Sequence, residues 1–528
     1  MSSHYSFYDN VAQVIPYTRR YTYPTQSNRA WKSVIKVPPK NGQTFLNTST
    51  TTPIRFELPA QGYMNTRNTF LQFDLAMGTT GSSTNLRMQN NVQCFMKRVR
   101  FTYGSLVVED IREYHNLVRI LTEGTGTNTS WVSDQVSINE GIGGIKMYPI
   151  AGLIYSAGNE NPFMAVPENV RLSEIQCANI TDNLHAVVPT YAQSTSQGSI
   201  SGNGLFRRYC VQLALGTFQQ NKLIPLKWMS SQLSIEIEVC TISTDCMAST
   251  GVVDNNMFYT LTNMAMLLEL LEFDGAYDEE FLEEGLRKEG VPIKIASWDT
   301  FINTPANSTS QQILIPERNR SLKAVFVVQI PPSRNCCTAT AFGSELAWDS
   351  SAFLESSANL STATGLSTGA LQDWQLRVGG KMYPANVVRC NNGSLTNGAP
   401  EAYMEFAKAL NIVGDYRLST GISASRWTRP LANATGQSCA IDFTGCREVN
   451  DTRDLENYVR GPSSFVIGID LETSDGTEVS GLNGEEQNDL QLFINYTQAQ
   501  SLSCYYLTYV FWDGLLILKE NNLLTTIK

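Results

Sequence analysis

Residues able to do chemistry are few in this chain and widely spaced. It has 528 residues, of which 3 are histidine: His4, His115 and His185. A serine nucleophile needs a base within hydrogen-bond reach and a third group to orient that base. G-x-S-x-G occurs once, at Gly365 to Gly369, in a stretch rich in Ser and Thr and far in sequence from all three histidines. His4 lies in an aromatic N-terminal stretch, and His115 falls between the apolar positions of a helical pattern. Metal centres draw on clustered His and Cys, yet the 11 cysteines occur singly, apart from the neighbours Cys336 and Cys337 and the spaced pair Cys439 and Cys446. Neither C-x-x-C nor the phosphate-cradling G-x-x-x-x-G-K-[ST] occurs. The expectation is a chain with no cofactor and no enzymatic activity.

One carboxylate pair merits weighing. Glu236 and Glu238 stand two residues apart in an alternating run, which puts both on one face of a strand. A β-sandwich glycosidase builds its acid–base pair from two such carboxylates. Leu233, Ile235 and Ile237 alternate in the opposite sense, so the same glutamates serve equally as the charged outer face of an amphipathic strand. This leaves a second reading, a carbohydrate-binding or glycan-hydrolysing β-sandwich protein. It is separable from a structural role by whether the protein is a monomer that binds or cleaves glycans.

Charge excludes another class. Lys and Arg number 39 against 49 Asp and Glu, a formal net charge of −10. Wrapping nucleic acid needs clustered cations that displace condensed counterions. The longest basic cluster is Lys97, Arg98 and Arg100, on an alternating strand pattern. Sequence-specific nucleic-acid binding is therefore not expected; a chain of this charge that enclosed a genome would do so as a wall.

The elements that must position these residues read as β-structure. The chain is 42% hydrophobic and 17% charged with 37 glycines, and Ser, Thr, Asn and Gln crowd the spaces between short apolar runs. Ile54 to Leu58 and Phe70 to Leu75 alternate. Val99 to Tyr103 and Leu106 to Ile111 flank a Gly104-Ser105 turn, a tight hairpin. A helix follows over about Arg112 to Thr122, with Tyr114, Leu117, Val118 and Leu121 on one stripe. Strands resume at Cys210 to Leu215, Ile224 to Trp228, Leu233 to Val239 and about Phe258 to Phe273. The acidic segment from Ala276 to Glu289 reads as one helix with Tyr277, Phe281, Leu282 and Leu286 on its apolar side and a solvated acidic face.

After Pro292 the order of elements begins again. Strands read at Ile293 to Trp298, Gln312 to Ile315 and Val325 to Val328. A hairpin follows through Gln375 to Val378, Gly379-Gly380 and Met382 to Pro384, then a helix from Glu401 to Leu410. Strands at Phe465 to Ile469, Leu490 to Ile494 and Tyr505 to Leu518 close the series. Strands, hairpin, helix, long loop and strands thus occur twice, as a repeat of pattern and not of sequence. Two eight-stranded Greek-key sandwiches are the simplest architecture that fits. The expected division is an extended arm over 1–28, a first barrel over 29–275, a connecting helix over 276–292 and a second barrel over 293–528.

Several features bear on partners and compartment. The arm carries Tyr5, Tyr8, Tyr17 and Tyr21, with Phe7 and Tyr23, in no regular period. That much aromatic surface is costly to leave in water, so the arm is expected to become ordered on a partner. Without a secretory signal the cysteines read as free thiols, a loop disulfide between Cys439 and Cys446 staying open. N-x-S/T triplets at Asn47, Asn128, Asn307, Asn392 and Asn433 carry no weight in a chain this rich in Asn, Ser and Thr. No stretch is apolar enough to span a bilayer as a helix.

Four segments in order carry a family resemblance. The run from Phe95 to Leu117 (FMKRVRFTYGSLVVEDIREYHNL) resembles the first-barrel hairpin and helix of double jelly-roll major capsid proteins, of the virophage and polinton-like virus type. Tyr259 to Asp274, the acidic helix and Ile293 to Trp298 are similar to that family's last strand, inter-barrel helix and entry to the second barrel. Trp374 to Pro384 followed by Glu401 to Tyr403 resembles the second hairpin and helix, and Tyr505 to Leu518 the closing strand. The similarity covers roughly 30–520, without the loops 123–204 and 411–462.

The resemblance implies an all-β chain of two tandem jelly-roll barrels, whose homotrimer forms a pseudo-hexameric capsomer tiling the icosahedral shell of a double-stranded DNA virus. It implies a virion location after assembly in the host cytoplasm or nucleus. The implied partners are neighbouring capsomers, penton proteins and minor capsid or cement proteins; an internal membrane stays undetermined. Aromatics are favoured at interface cores, which makes Trp131, Phe163, Trp348 and Trp427, embedded in the polar loops, candidate interaction residues beside the arm tyrosines.

Overall fold

The computed structural model describes residues 30–48, 50, 52–79, 85–88, 92–125, 191–193, 207–218, 223–241, 246–249, 257–273, 275–306, 308–330, 371–390, 399–413, 465–472, 480–484, 490–497, 505–519 and 522–527. In chain order the first half contains β1 (Ala30–Val37), β2 (Thr44–Leu46), β3 (Ile54–Glu57), β4 (Tyr63–Thr79), β5 (Asn85–Met88), β6 (Met96–Tyr103), β7 (Leu106–Arg112), α1 (Tyr114–Thr125), β8 (Tyr191–Gln193), β9 (Arg207–Val211), β10 (Leu233–Val239), β11 (Met247–Ser249) and β12 (Met257–Phe273). The connector is α2 (Gly275–Glu280), running directly into a π-helical segment, Phe281–Glu289. The second half contains β13 (Val291–Asn303), β14 (Ser310–Ile315), β15 (Leu322–Ile330), β16 (Leu371–Val378), β17 (Lys381–Arg389), α3 (Pro400–Ala409), β18 (Ile467–Asp470), β19 (Leu490–Tyr496), β20 (Tyr505–Lys519) and β21 (Asn522–Ile527).

Pairing makes the two halves topological copies. In the first half the sheets run β1-β12-β4-β9 and β3-β10-β6-β7; in the second they run β13-β20-β15-β18 and β14-β19-β16-β17. Numbering the eight principal strands of each half by chain order, both give 1-8-3-6 opposite 2-7-4-5. That is the double Greek key of a jelly roll. All pairings are antiparallel, and among the described residues none joins a strand of one half to a strand of the other. A small sheet, β11-β5-β8, belongs to the first half, and β21 folds back on β20 in the second.

The alternation seen in sequence is the alternation of burial. β14 runs exposed–buried through its six residues, and β19 alternates buried with half-buried. This is what a sheet with one face on a core requires. Both hairpins turn on a glycine in left-handed backbone, Gly104 at φ 54° and Gly379 at φ 57°, a conformation a Cβ would strain.

Two local expectations are corrected. Ile224 to Trp228 is not a strand. Ile224 makes a single bridge to Met64, and Leu226–Trp228 forms a 3₁₀ turn, because Pro225 has no N–H to extend a ladder. The acidic connector is not one regular helix but an α-turn followed by the wider π-helix. Phe281 and Leu282 are half-buried there and Leu286 is buried.

The connector is tied to the first barrel. Tyr63 donates to Asp278 at 2.8 Å and receives the Trp228 indole N–H at 3.0 Å. Lys227 pairs with Asp278, while Phe281 stacks on Trp228 and meets Tyr63 edge-on.

Candidate functional site

The carboxylate pair is neutralised in place. β10 pairs with β6 so that Glu236 faces Arg100 and Glu238 faces Arg98. Arg100 reaches Glu236 at 3.0 Å and Glu238 at 3.7 Å, and Arg98 reaches Glu238 at 3.3 Å. Arg98 also holds Asp110 through two contacts of 2.6 Å, a planar fork on a carboxylate. These groups form a ladder of alternating sign on the outer face of a sheet whose inner face carries Leu233, Ile235 and Ile237, all buried. Arg98 and Arg100 of the basic cluster noted in sequence therefore supply counter-charges to Glu236 and Glu238.

The remaining reactive groups are dispersed or buried. His115 lies buried in α1 with Nε2 3.7 Å from Glu113; His4 and His185 fall outside the described residues. Cys94, Cys240 and Cys246 are buried thiols, none in a disulfide, around Tyr259. The Tyr259 hydroxyl donates to the Cys240 carbonyl at 2.7 Å, and burial raises its pKa well above the phenol range. Cys336, Cys337, Cys439 and Cys446 lie outside the described residues. Among those described, no group of three or more His, Cys, Asp or Glu could hold a metal ion, and no helix is long and apolar enough to cross a membrane.

The most elaborate polar construction is the seam where the two halves meet. β7 and the 3₁₀ turn Gly216–Phe218 of the first half lie against β13 of the second. At its centre is Glu109, 2% exposed. One carboxylate oxygen accepts the Gly216 N–H at 2.8 Å and the Ser297 hydroxyl at 2.6 Å. The other accepts the Thr217 N–H at 2.8 Å and the Thr217 hydroxyl. Burial raises the Glu109 pKa, opposed by the hydrogen bonds from Ser297, Thr217 and Gly216.

Around this centre the seam is tight. A Cβ on Gly216 would stand 1.5 Å from the Ala296 carbonyl oxygen. Tyr509 of β20 donates to the Glu113 carbonyl at 2.6 Å, and Thr300 to the Arg112 carbonyl at 3.2 Å. At the end of α1, Gly124 faces Leu410 and Phe406 of the α3 region. The buried apolar residues of the two halves form one connected cluster.

Sequence reasoning missed Glu109. Its signal was an acidic residue on the same strand face as Ile111, an apolar side where a solvated carboxylate does not belong. The interaction residues expected from sequence, Tyr5, Tyr8, Tyr17, Tyr21, Trp131, Phe163, Trp348 and Trp427, all lie outside the described residues.

Two jelly rolls of identical strand order in one chain define a class, the double jelly roll. The chain is similar to a chain of the Sputnik virophage solved by cryo-EM, with a TM-score of 0.51 and 9% identity over 97% of this chain and 92% of that one. It is similar to the Faustovirus major capsid protein, with a TM-score of 0.50 and 10% identity over 96% and 92%. PBCV-1 VP54, fitted into a reconstruction of Sputnik, gives a TM-score of 0.50 and 9% identity over 96% and 98%. No family model matches the sequence and no curated protein matches it. The likeness is one of fold, running through both barrels.

Proposed function

We propose that this chain is the major capsid protein of an icosahedral double-stranded DNA virus, three copies forming a pseudo-hexameric capsomer. The observation that carries the reading is the duplicated 1-8-3-6 and 2-7-4-5 strand order in a single chain, shared in overall shape with capsid chains along almost their whole length. Two similar barrels held edge to edge give one chain two quasi-equivalent positions, so three chains supply six. A closed sandwich also shields its ladders from stray pairing.

On this reading the division is an arm over 1–28, barrels over 29–275 and 293–528, and the connector between them. The arm tyrosines and the loop residues Trp131, Phe163, Trp348 and Trp427 serve contacts between chains. The location is the virion, after assembly in the host cell. Neighbouring capsomers, penton proteins and minor capsid proteins are the partners. No described observation favours the glycan-hydrolysing alternative, since its two carboxylates are spent on Arg98 and Arg100.

The test is size-exclusion chromatography with light scattering, followed by negative-stain imaging of the purified chain. A particle of three chains with six lobes is the expected result. A monomer that binds or cleaves glycans overturns the proposal.

A further inference from the structure

Asp513 of β20 is a buried carboxylate that the fold leaves without a hydrogen bond. It is 1% exposed, and neither of its carboxylate oxygens has a donor. Among the described residues no other carboxylate has a buried oxygen in that state. Glu109, also buried, collects four donors. Burying an ionised carboxylate without such replacements for its hydration is expensive.

The cation beside Asp513 is Lys294 of β13. Its Nζ stands 3.4 Å from Oδ2, in an orientation that is not a hydrogen bond. An ion pair of this geometry leaves both oxygens short of donors. β13 and β20 pair with Lys294 opposite Leu515 and Ala296 opposite Asp513. The two side chains therefore share one sheet face as diagonal neighbours, a separation that a lysine spans. They come from the first and last principal strands of the second barrel.

The surroundings exclude water from the acid and admit it to the amine. The Asp513 side chain is fully buried, whereas that of Lys294 is 38% exposed. On the same face Trp298 stacks on Phe511 at 4.4 Å, and Lys323 lies over the Phe511 ring. Lys323 also pairs with Glu472 at 3.0 Å. Burial would raise the Glu472 pKa, but the Ser480 hydroxyl, Lys323 and Lys294 hold it below the usual carboxylate value. An ionised carboxylate thus stands within electrostatic reach of Lys294 and can carry a proton.

We propose that Lys294 and Asp513 condense into an intramolecular isopeptide bond. Proton transfer within the pair gives a neutral amine and a neutral acid. The Nζ lone pair adds to Cγ and forms the C–N bond. The Cγ–OH bond then breaks, and the hydroxyl leaves as water with a proton from the nitrogen, which Glu472 can relay. One amide and one water replace one amine and one carboxylic acid, so neither oxidant nor reductant is needed. The two groups already stand at about the separation of a near-attack pair. The product removes the unsolvated charge and ties the second barrel shut between its first and last principal strands.

The test is intact-mass spectrometry of the purified chain after denaturation. The principal species is expected to weigh one water less than the sequence requires. A protease digest should contain a branched peptide joining the Lys294 and Asp513 segments. Asp513 precedes Gly514, and an Asp-Gly pair can also lose water by cyclising on its own backbone. Lys294→Arg separates the two reactions, because it removes the amine and leaves that pair intact. It should restore the full mass, as should Asp513→Ala; if either variant fails to fold, the branched peptide in the wild type decides. A wild-type chain at full mass overturns the proposal. So does a water loss that persists in Lys294→Arg, or one whose digest contains no branched peptide. The capsid reading stands or falls separately, on the particle that the chain assembles.

Discussion

Glu109 and Glu317 show two ways of keeping a carboxyl group away from water without a cation against it. Burying an ionised carboxylate is expensive unless hydrogen bonds replace its hydration. Glu109 gathers two backbone N–H groups and two hydroxyls from both halves of the chain. Glu109→Leu keeps the bulk but leaves the Gly216 and Thr217 N–H groups and the Ser297 hydroxyl with no acceptor in the seam. The expected loss is about 3 kcal/mol or more, read as a lowered midpoint in urea unfolding. Glu109→Gln, which keeps one acceptor oxygen, should lose less.

Glu317 differs in having a like-charged neighbour. Its carboxylate accepts the N–H groups of Arg318 at 2.8 Å and Asn319 at 3.1 Å. Burial first, then Asp299, raises its pKa from 4.5 to about 7. A carboxyl whose folded pKa exceeds its unfolded one keeps its proton longer in the native state. Its contribution to stability is therefore present in full below about pH 4.5 and lost as pH rises through about 7. Glu317→Gln should raise the melting temperature at pH 8, by on the order of 1–3 kcal/mol of stability, and change it little at pH 4.5. Equal effects at the two values would refute this account.

At the scale of elements, close approach of backbones decides more than composition. Gly216 lies against the Ala296 carbonyl with no room for a methyl group, whereas Gly380 has nothing within 4 Å of its would-be Cβ. Gly216→Ala should therefore force the 3₁₀ turn off β13 and cost about 3 kcal/mol or more. Gly380→Ala should be neutral to within about 0.5 kcal/mol. Thermal unfolding of the pair checks both.

The principal strands and both hairpins were legible from alternation and from the turn glycines, since those signals are local. The supposed strand at Ile224 to Trp228 alternates as well as the true ones, but alternation cannot register a missing N–H at Pro225. The connector's apolar positions, Tyr277, Phe281, Leu282 and Leu286, suit a π-turn as well as an α-turn. β2, β8 and β11 are 3 residues each, too short to display a period. The seam was not legible because its bonds join residues far apart in sequence: Glu109 and Ser297 are 188 apart.

For the whole molecule, the seam determines whether two barrels behave as one cooperative unit. Among the described residues their sheets do not pair across it, yet their apolar cores are connected through it. Wild type is expected to unfold in a single calorimetric transition, with calorimetric and van't Hoff enthalpies agreeing. Glu109→Leu and Gly216→Ala should split that transition in two, because each barrel has its own pair of sheets. Two transitions already present in the wild type would mean that the seam contributes little coupling.

Joining both barrels in one polypeptide has a kinetic consequence. The Glu109 seam forms within the chain, where the connector, pinned at Tyr63 and Trp228, holds the partners at an effective concentration far above that of free molecules in a cell. In any ring built from such chains every other joint is complete before two molecules meet. Diffusion then has about half as many encounters to arrange, and the number of barrels in a finished ring is always even.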